Sequence, residues 1–184
     1  MMNVLLKLFL KMKILNVNAL LDPTKGGGTV ERTIQMSRYL SFNKDIEVSI
    51  LTLNIGVISQ SIKSSTLINL IIIPCLNKRF YLPFFLSRKI SKSIKESDVI
   101  HLMGHWSLIN LVAYFWIQKY KKPYVVCPAG ALPIFGRSKL LKELYNKLGG
   151  QACIRNANVN IAVSKDEFFH FSKYGVDSKK IILL

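Results

Sequence analysis

The sequence predicts an α/β fold: a Rossmann-like, doubly wound parallel sheet with helices on both faces, in three layers. Short apolar runs alternate along the chain with segments of helical periodicity, which is the pattern of repeated strand–helix units. The apolar runs are nearly uninterrupted, as is typical of strands covered on both faces. The chain has 184 residues, of which 50% are hydrophobic. This is enough for one core, so a single domain is expected.

The elements follow in a regular order. The first strand, Ile14–Val17, leads into a loop with strong turn chemistry, Asp22–Gly28. The later apolar runs predict strands at Glu47–Leu53, Leu67–Ile73, Val99–Met103, Tyr124–Cys127, Val159–Val163 and Lys180–Leu184. Helical spacing of apolar residues predicts helices at Thr29–Leu40, Leu82–Lys95, Leu108–Lys119, Lys139–Cys153 and Lys165–Tyr174.

Start and stop signals support several of these boundaries. Pro74 and Pro128 each follow a predicted strand, and proline cannot donate a hydrogen bond to a sheet. Ser164 is expected to cap the last helix, and Gly175 is expected at its C-terminal end. Capping is also the expected role of Asp98 and Asp166. The Leu82–Lys95 helix is predicted to be amphipathic, with an apolar side (Phe85, Leu86, Ile90, Ile94) and a basic side (Arg88, Lys89, Lys92, Lys95).

Residues 1–12 are predicted to be an extension before a domain at residues 13–184. Lys7 interrupts the apolar run, and no small-residue cleavage site follows, so the segment does not match a secretory signal. An amphipathic anchor lying at a membrane interface is the alternative. No segment reaches the roughly 18 apolar residues that a membrane-spanning helix needs.

The chain is strongly basic, with 26 Lys and Arg against 10 Asp and Glu and a net charge of +16. Such a charge favours anionic partners. Aromatic residues do not interleave with the basic ones, so no nucleic acid partner is expected. The basic clusters form either solvated surface or a face for peripheral contact with an anionic membrane. They lie at Arg88–Lys95, Lys119–Lys122, Arg137–Lys147 and Lys173–Lys180.

The three cysteines, Cys75, Cys127 and Cys153, lie far apart in the sequence and include no C-x-x-C pair. Neither a disulfide scaffold nor a cysteine-based zinc site is expected, and a reducing, cytoplasmic location fits best.

Ligands of doubly wound sheets bind beyond the carboxyl ends of the strands, where the strand order reverses. Gly26-Gly27-Gly28-Thr29 follows the first strand and opens a helix. Its glycines either let backbone approach a ligand or form a plain tight turn. The run lacks the G-x-G-x-x-G pattern of nicotinamide cofactor sites and the G-K-[ST] of a P-loop.

A second candidate segment runs from His101 to Trp106. The two histidines, His101 and His105, are four residues apart, but Gly104 breaks the run, so no metal site is expected. His101 is expected in the core or behind the site. His105 lies past the strand, where a neutral imidazole could accept a proton from a hydroxyl. Trp106 either stacks on a sugar or covers the core.

Taken together, four segments resemble glycosyltransferase family 4 of the GT-B fold, and the resemblance extends over residues 13–182. They are the glycine run Gly26–Arg32, the segment Asp98–Trp106, the loop Cys127–Leu132, and Asn156–Ser164 with Tyr174-Gly175-Val176. The resemblance implies transfer of a sugar from a nucleotide-sugar donor to a hydroxyl, with retained configuration and with no essential metal or cofactor. The acceptor would be a lipid-linked sugar or a polysaccharide of the cell envelope.

The resemblance also implies a division of labour. Residues 13–184 would be the acceptor-side N-terminal domain, and the donor-binding C-terminal domain would be absent here or separately encoded, leaving this chain inactive alone. Matching the motifs assigns substrate binding to Gly27, Gly28, Thr29, Trp106 and Gly130 and catalysis to His105. Ala129 stands where the family carries a loop histidine. Two alternatives stay open: a non-catalytic module on the inner face of an anionic membrane, and a small α/β nucleotide binder.

Overall fold

The computed structural model describes residues 11–58, 60–84, 88–134 and 138–184. Seven strands form one parallel sheet in the order β3-β2-β1-β6-β7-β8-β9, and β4 and β5 form a small antiparallel hairpin. The strands are β1 (Met12–Val17), β2 (Ile46–Leu53), β3 (Ile68–Ile73), β4 (Cys75–Asn77), β5 (Leu82–Pro83), β6 (Val99–Met103), β7 (Tyr124–Cys127), β8 (Val159–Ala162) and β9 (Ile181–Leu183).

Helices flank the sheet, and the predicted Rossmann-like α/β fold is confirmed. The helices are α1 (Pro23–Ser41), α2 (Gln60–Lys63), α3 (Arg88–Glu96), α4 (Leu108–Tyr120), α5 (Lys139–Tyr145), α6 (Gln151–Arg155) and α7 (Glu167–Lys173). A π-helical turn, Asn146–Gly150, joins α5 to α6, and a 3-10 turn, Ser178–Lys180, precedes β9. None of the described helices is both long and apolar enough to cross a bilayer.

The strand order reverses between β1 and β6, which pair in parallel from Ile14 opposite Val99 to Val17 opposite Leu102. Loops leave the carboxyl ends of these strands in opposite directions, and this opens a crevice at the edge of the sheet. Successive side chains of β1 point to opposite faces of the sheet and meet different environments. Leu15 and Val17 are fully buried in the apolar core, whereas Asn16 lies on the opposite side of the strand and hydrogen-bonds to α1.

The prediction of one helix over Leu82–Lys95 is wrong at its start. Leu82–Pro83 is strand β5, paired with β4, and the helix begins only at Arg88. Phe85 and Leu86, which were predicted to lie on its apolar side, are outside the described residues. The pairing is too short to leave an alternating pattern in the sequence.

The hairpin is attached to α4 by backbone hydrogen bonds. The carbonyl oxygens of Phe80 and Tyr81 accept from the N–H groups of Leu108 and Ile109, at 3.1 Å each. The first N–H groups of a helix have no partner within the helix, so these two bonds begin α4 from outside it. Ser107, at the N-cap position, makes no side-chain capping bond.

Helix α1 begins at Pro23, earlier than the predicted Thr29. Asp22 caps it, and Pro23 occupies the first turn, where its missing N–H costs nothing. The glycine run therefore lies within the helix rather than before it. Gly27 interrupts the helix with φ 53° and ψ −144°, a backbone conformation that residues other than glycine rarely adopt.

The predicted helix Lys139–Cys153 is present but irregular. It passes through the π-helical turn and ends at Arg155, with Gly149 at φ 131° inside the turn. The wider turn changes the direction of the side chains on either side of it, and such turns are frequent at functional sites. Side-chain periodicity in the sequence does not reveal it, because a π turn shifts the apolar stripe by only one residue.

Three capping predictions are wrong in detail. The last helix is Glu167–Lys173, and the carbonyl of Ser164 rather than its hydroxyl accepts the N–H of Glu167. Asp166 makes no side-chain cap bond. Asp98 Oδ2 accepts the N–H of Lys13, at 2.8 Å, and so holds the start of β1. The prediction for Gly175 is confirmed, because it follows α7 with φ 75°.

Candidate functional site

A buried polar seam positions α1 on β1. Asn16 Nδ2 donates to Ser37 Oγ and Asn18 Nδ2 donates to Thr33 Oγ1, both at 2.8 Å. Asn18 Nδ2 also lies 3.2 Å from the carbonyl oxygen of Thr29. Buried amides must be paired, and a sliding helix would break these bonds, so the seam fixes the register of α1. It thereby places the glycines at the beginning of α1 over the crevice.

The cap of α1 also ties in the loop after β2. One oxygen of Asp22 accepts from the backbone N–H and the hydroxyl of Thr24, at 3.0 and 2.7 Å. The other accepts the N–H of Val57, at 3.1 Å. The hydrogen bond from the Thr24 hydroxyl, followed by that from Val57, lowers the pKa of Asp22 below its ordinary value. A Cβ on Gly56 would lie 2.2 Å from Asp22 Oδ2, so the backbone at position 56 can lie this close to the Asp22 carboxylate only if the residue is glycine.

The glycines of α1 border open space. Gly27 and Gly28 are both exposed, and a Cβ built on either would meet no atom within 4 Å. Packing therefore does not require glycine at Gly28, and a ligand could approach its backbone closely. Thr29 is different, because its hydroxyl already donates to the Gly26 carbonyl at 2.9 Å.

Gly28 lies on a cleft of about 450 Å³ between α1 and the sheet, which we call the α1 cleft. Arg32 also lines it, from α1, and His101 and Cys127 line it from β6 and β7. Burial raises the pKa of the Cys127 thiol, so it is held as a neutral thiol. The full lining is Gly28, Glu31, Arg32, Gln35, Met36, His101, Cys127, Ile161 and Leu184.

His101 holds a buried ring nitrogen without a hydrogen-bond partner in the wall of this cleft. Its Nδ1 lies 3.2 Å from Asn16 Oδ1, and since Asn16 Nδ2 donates to Ser37, that oxygen accepts and Nδ1 carries the proton. Nε2 is left with a lone pair and has no hydrogen-bond partner among the described residues. Burial, and then the nearby Arg32 charge, lowers the pKa of His101 to about 4, so the ring is neutral near pH 7.

His105 sits in a different environment, which we call the aromatic cage. Its ring centroid lies 4.3 Å from that of Trp106, 5.2 Å from that of Tyr145 and 5.4 Å from that of Tyr174. Nε2 is 3.1 Å from Asn146 Oδ1, and Asn146 Nδ2 donates to the Tyr174 hydroxyl at 3.0 Å. Nε2 therefore carries a proton. Burial lowers the pKa of His105 to about 4, and the residue is 3% exposed.

The loop after β7 closes over the cage. Ala129 and Gly130 both have positive φ, 53° and 81°. The N–H of Gly130 donates to one carboxylate oxygen of Glu167, and the N–H of Val163 donates to the other at 2.6 Å. Glu167 is 2% exposed, so this side chain is an internal brace between the loop and the end of β8.

The loop also accepts hydrogen bonds from two cage residues. The indole N–H of Trp106 donates to the carbonyl of Ala131. The hydroxyl of Tyr174 donates to the carbonyl of Leu132, at 3.0 Å. Trp106 and the Gly130 loop are thus held together, whereas Gly28 lies with His101 in the α1 cleft.

Sequence reasoning missed the residues that organise these two places. Asn146, Tyr174 and Glu167 come from the last third of the chain and meet the cage or its loop only through the fold. No signal in the sequence singles out Asn146, because its helix also carries Lys142, Glu143 and Lys147. Across residues 11–58, 60–84, 88–134 and 138–184, no group of three or more His, Cys, Asp or Glu side chains is arranged to hold a metal ion.

Comparison with protein families decides the identity of this domain. The model of Glycosyltransferase Family 4 matches residues 26–184, which include the α1 cleft and the aromatic cage. The chain belongs to glycosyltransferase family 4. The resemblance first seen in its glycine run and in Asp98–Trp106 is confirmed. No curated protein matches the sequence.

Solved structures share the fold of this family 4 domain at low identity. Anabaena HepE in complex with UDP and glucose has a TM-score of 0.65 and 16% identity, over 94% of this chain and 44% of that chain. The lipopolysaccharide outer core galactosyltransferase WaaB has a TM-score of 0.56 and 16% identity, over 93% of this chain and 44% of that chain.

A third structure is described as a UDP-N-acetylglucosamine 2-epimerase rather than a transferase. It comes from Listeria monocytogenes and has a TM-score of 0.59 and 13% identity, over 93% of this chain and 44% of that chain. The family 4 domain thus spans less than half the length of each of these neighbours.

Proposed function

We propose that this domain is the acceptor-side half of a glycosyltransferase that moves a sugar from a nucleotide-sugar donor to a hydroxyl. The family 4 match over residues 26–184 carries the proposal. The bound ligands of HepE, UDP with glucose or UDP-glucose, suggest a uridine diphosphate sugar as the donor. A second domain, continuous or separately encoded, supplies the donor site, so this chain alone transfers no sugar. The sugar donor is a substrate, and no cofactor takes part.

The acceptor hydroxyl approaches from the crevice at the carboxyl ends of β1 and β6. Gly27 and Gly28 leave room for it, and His101, which lines the α1 cleft with Gly28, carries the unpaired acceptor Nε2 in the buried wall of that cleft. A neutral imidazole can accept a hydroxyl proton near pH 7, which suits this role. We assign this contact to His101, which adds a ligand-facing residue to the set from the sequence.

His105 remains the catalytic candidate from the motif, with Trp106 and Gly130 beside it. Its Nε2 is occupied by Asn146, so any proton acceptance by this ring uses Nδ1. The enclosing aromatic rings favour a further role, in which His105 holds Trp106 and the Gly130 loop in position for the sugar. The two histidines then act on different sides of the crevice.

The proposed location is the cytoplasmic face of an anionic membrane, where a lipid-linked or growing polysaccharide acceptor of the cell envelope would be presented. The net charge of +16 supports it, because basic residues gain from an anionic surface. The exposed basic side of α3, with Arg88, Lys89, Lys92 and Lys95, supplies part of that charge. Contact is peripheral.

A radiolabelled transfer assay tests the function. The 184 residues are joined to the part of Anabaena HepE that this chain does not cover, and UDP-[14C]glucose is supplied with an extract of membrane lipids. We expect transfer by the fusion, about 100-fold slower transfer by its His101→Gln variant, and none by the chain alone. Leu140→Ser, on an exposed helix surface, is the matched control.

Two results would contradict this function. One is equal transfer by the isolated chain and the fusion, because the donor site would then lie within these residues. The other is saturable binding of UDP-glucose by the isolated chain in a calorimetric titration. An unchanged rate for His101→Gln would leave the function standing and remove His101 from it.

A further inference from the structure

Strand β3 forms one edge of the sheet, and its outer side is uncovered. Among the described strands it pairs only with β2. The β4–β5 hairpin follows it directly but bends toward α4, where the hydrogen bonds to the carbonyls of Phe80 and Tyr81 hold it. No backbone hydrogen bond reaches the outer side of β3 from any described residue. The edge is therefore open to a strand of another chain.

Every second residue of β3 directs its backbone polar groups outward. The carbonyl oxygen of Ile73 accepts the N–H of Asn54, at 3.0 Å, so the backbone groups of Ile73 point toward β2. The N–H and C=O of one strand residue point to the same side, and the sides alternate along the strand. The N–H and C=O of Ile68, Leu70 and Ile72 therefore point away from the sheet. Unpaired groups in such a row form a template for a further strand.

Strand β3 also lacks the features that protect an edge from pairing. Protected edges are short, or they carry charged residues, proline or a bulge. β3 has six residues with the sequence INLIII, and it pairs with β2 in an unbroken register. Ile72 is 38% exposed, and Leu67, just before the strand, is 56% exposed. The opposite edge, β9, has three residues and follows Lys179 and Lys180, so β3 is the edge that favours a partner.

The sequence of β3 is complementary to itself in the antiparallel direction. When Leu70 lies opposite Leu70 of a second copy, Ile68 lies opposite Ile72 of that copy. All three residues direct their N–H and C=O outward, so each of these pairs exchanges two backbone hydrogen bonds. The paired side chains are aliphatic, and such cross-strand contacts stabilise a sheet. Asn69 and Ile71 pair on the other face and bring no charge to the interface.

Helix α3 borders the same edge and is compatible with a second copy. A groove of about 300 Å³ between β3 and α3 includes Lys89, Lys92 and Glu96 in its lining. Lys92 Nζ lies 3.9 Å from Glu96 Oε1, so the middle of this stripe holds its own ion pair. The helix joins two parallel strands and runs antiparallel to β3, which places Lys89 toward the carboxyl end of β3. In antiparallel copies, Lys89 of one α3 is therefore level with Glu96 of the other, and these opposite charges suit each other.

We propose that β3 pairs with β3 of a second copy of this chain, across a two-fold axis perpendicular to the sheet. The two sheets then become one continuous sheet. Both copies use the same edge, so the assembly closes at a dimer. The axis keeps both α3 helices on the same face of the joined sheet. The dimer edge lies two strands away from the crevice between β1 and β6, so this inference is independent of the proposed sugar transfer.

Sedimentation velocity of the full chain over a concentration series tests the dimer. We expect a monomer–dimer equilibrium with no larger species. Ile72→Lys should weaken the dimer at least about tenfold, because it buries a charge against Ile68 of the second copy. Ile182→Lys adds the same charge at the opposite edge, on β9, where Ile182 is 51% exposed, and should leave the equilibrium unchanged. Circular dichroism checks that both variants fold.

Hydrogen exchange of the wild-type chain, followed by NMR, locates the pairing without any substitution. In a single copy the N–H groups of Leu70 and Ile72 face solvent. We expect their exchange to slow by at least about tenfold at concentrations where the dimer forms, since they then donate to the second copy. Leu183 is the control. Because the N–H of its neighbour Leu184 donates to the carbonyl at the end of β8, the N–H of Leu183 faces solvent at the other edge and should keep its rate.

Salt dependence separates this interface from one held by ion pairs. Each copy carries a net charge of +16, whereas the proposed contacts are backbone and aliphatic groups, so added salt should strengthen the dimer by screening the repulsion. A dimer that dissociates as salt is added would overturn the proposal.

Three further results would also overturn it. A chain that stays monomeric at every concentration would leave the β3 edge to a strand of a different protein. Equal weakening by Ile72→Lys and Ile182→Lys, or species larger than a dimer, would place the contact elsewhere or at both edges. Slower exchange at Leu183 with unchanged exchange at Leu70 and Ile72 would move the pairing to β9.

Discussion

At the scale of single residues, the two histidines show what a motif leaves undetermined. The sequence placed His101 in the core or behind the site, and His105 in the cleft. In the structure His101 has the unpaired Nε2 beside the α1 cleft, whereas His105 Nε2 is bound to Asn146. The strand position of His101 was predictable from its apolar neighbours. The difference between the rings was not, because it depends on Asn16 and Asn146, which reach the histidines only after folding.

Glu167 is the single side chain whose removal is expected to lower the stability of the domain most clearly. Its carboxylate accepts the backbone N–H groups of Gly130 and Val163 in a buried setting. Glu167→Ala leaves both N–H groups without a partner, and we expect the free energy of unfolding to fall by about 2–4 kcal/mol. Urea denaturation measures this.

Controls for this position are available within the chain. Glu143→Ala, on the exposed face of α5, should change stability by less than about 0.5 kcal/mol. Glu167→Gln keeps one acceptor oxygen and should fall between the wild type and Glu167→Ala. If Glu167→Ala were as stable as Glu143→Ala, the carboxylate would not be the brace of the Gly130 loop.

At the scale of elements, long periodic segments were predictable and short or irregular ones were not. Helix α4 and strand β6 match their predicted bounds within one residue, since apolar spacing and terminal residues agree there. The β4–β5 hairpin was missed, because its few paired residues carry no period. The π turn at Asn146–Gly150 was missed for a different reason, as its geometry is set by packing of Tyr145 and Asn146 against the aromatic cage.

The interrupted start of α1 yields a paired prediction. Gly27 has positive φ, so Gly27→Ala should destabilise the domain by about 1 kcal/mol. Gly28 is helical and open, so Gly28→Ala should stabilise it by about 0.5–1 kcal/mol. Thermal or urea unfolding of the two variants measures the difference. Equal effects of the same sign would show that Gly27 does not hold this conformation in solution.

At the scale of the whole molecule, buried neutral histidines make stability depend on pH. The pKa values of His101 and His105 are lowered to about 4 by burial, whereas an unfolded histidine has a pKa of about 6.5. Between these values the unfolded chain binds more protons than the folded one. Stability is therefore highest above about pH 6.5 and falls as the pH is lowered toward 4.

Each histidine can contribute a slope of up to about 1.4 kcal/mol per pH unit in this window. Urea unfolding between pH 7.5 and pH 4.5 measures the slope. His105→Gln should reduce it by about half relative to the wild type, after its own loss of stability at pH 7.5 is subtracted. A stability that stayed constant from pH 6.5 to pH 5 would mean that the two rings are not held neutral by burial.

The whole-molecule architecture was the most predictable level of all. The parallel sheet with helices on both faces follows from the alternation of apolar runs and helices. Which strands meet at the reversal, β1 and β6, was not predicted, because alternation does not determine the strand order. The apolar concavity between the β4–β5 hairpin and α5 could not be predicted from the sequence, because Phe80, Trp106 and Leu144 belong to three separate segments. Only their convergence turns isolated exposed apolar residues into a surface with a shape and a charge.

The attachment of the β4–β5 hairpin to α4 has a consequence for how this domain can be cut and recombined. The helix has no working cap of its own, since Ser107 Oγ is buried without a hydrogen-bond partner among the described residues and the hairpin supplies the acceptors instead. The residues that fix the start of α4, Phe80 and Tyr81, therefore precede strand β6 in the sequence. A chimaera that takes α4 from one homologue and the hairpin from another separates the N–H donors from their carbonyl acceptors. Such a chimaera keeps the first turn of α4 only if both homologues place the backbone of Phe80 and Tyr81 in the same position.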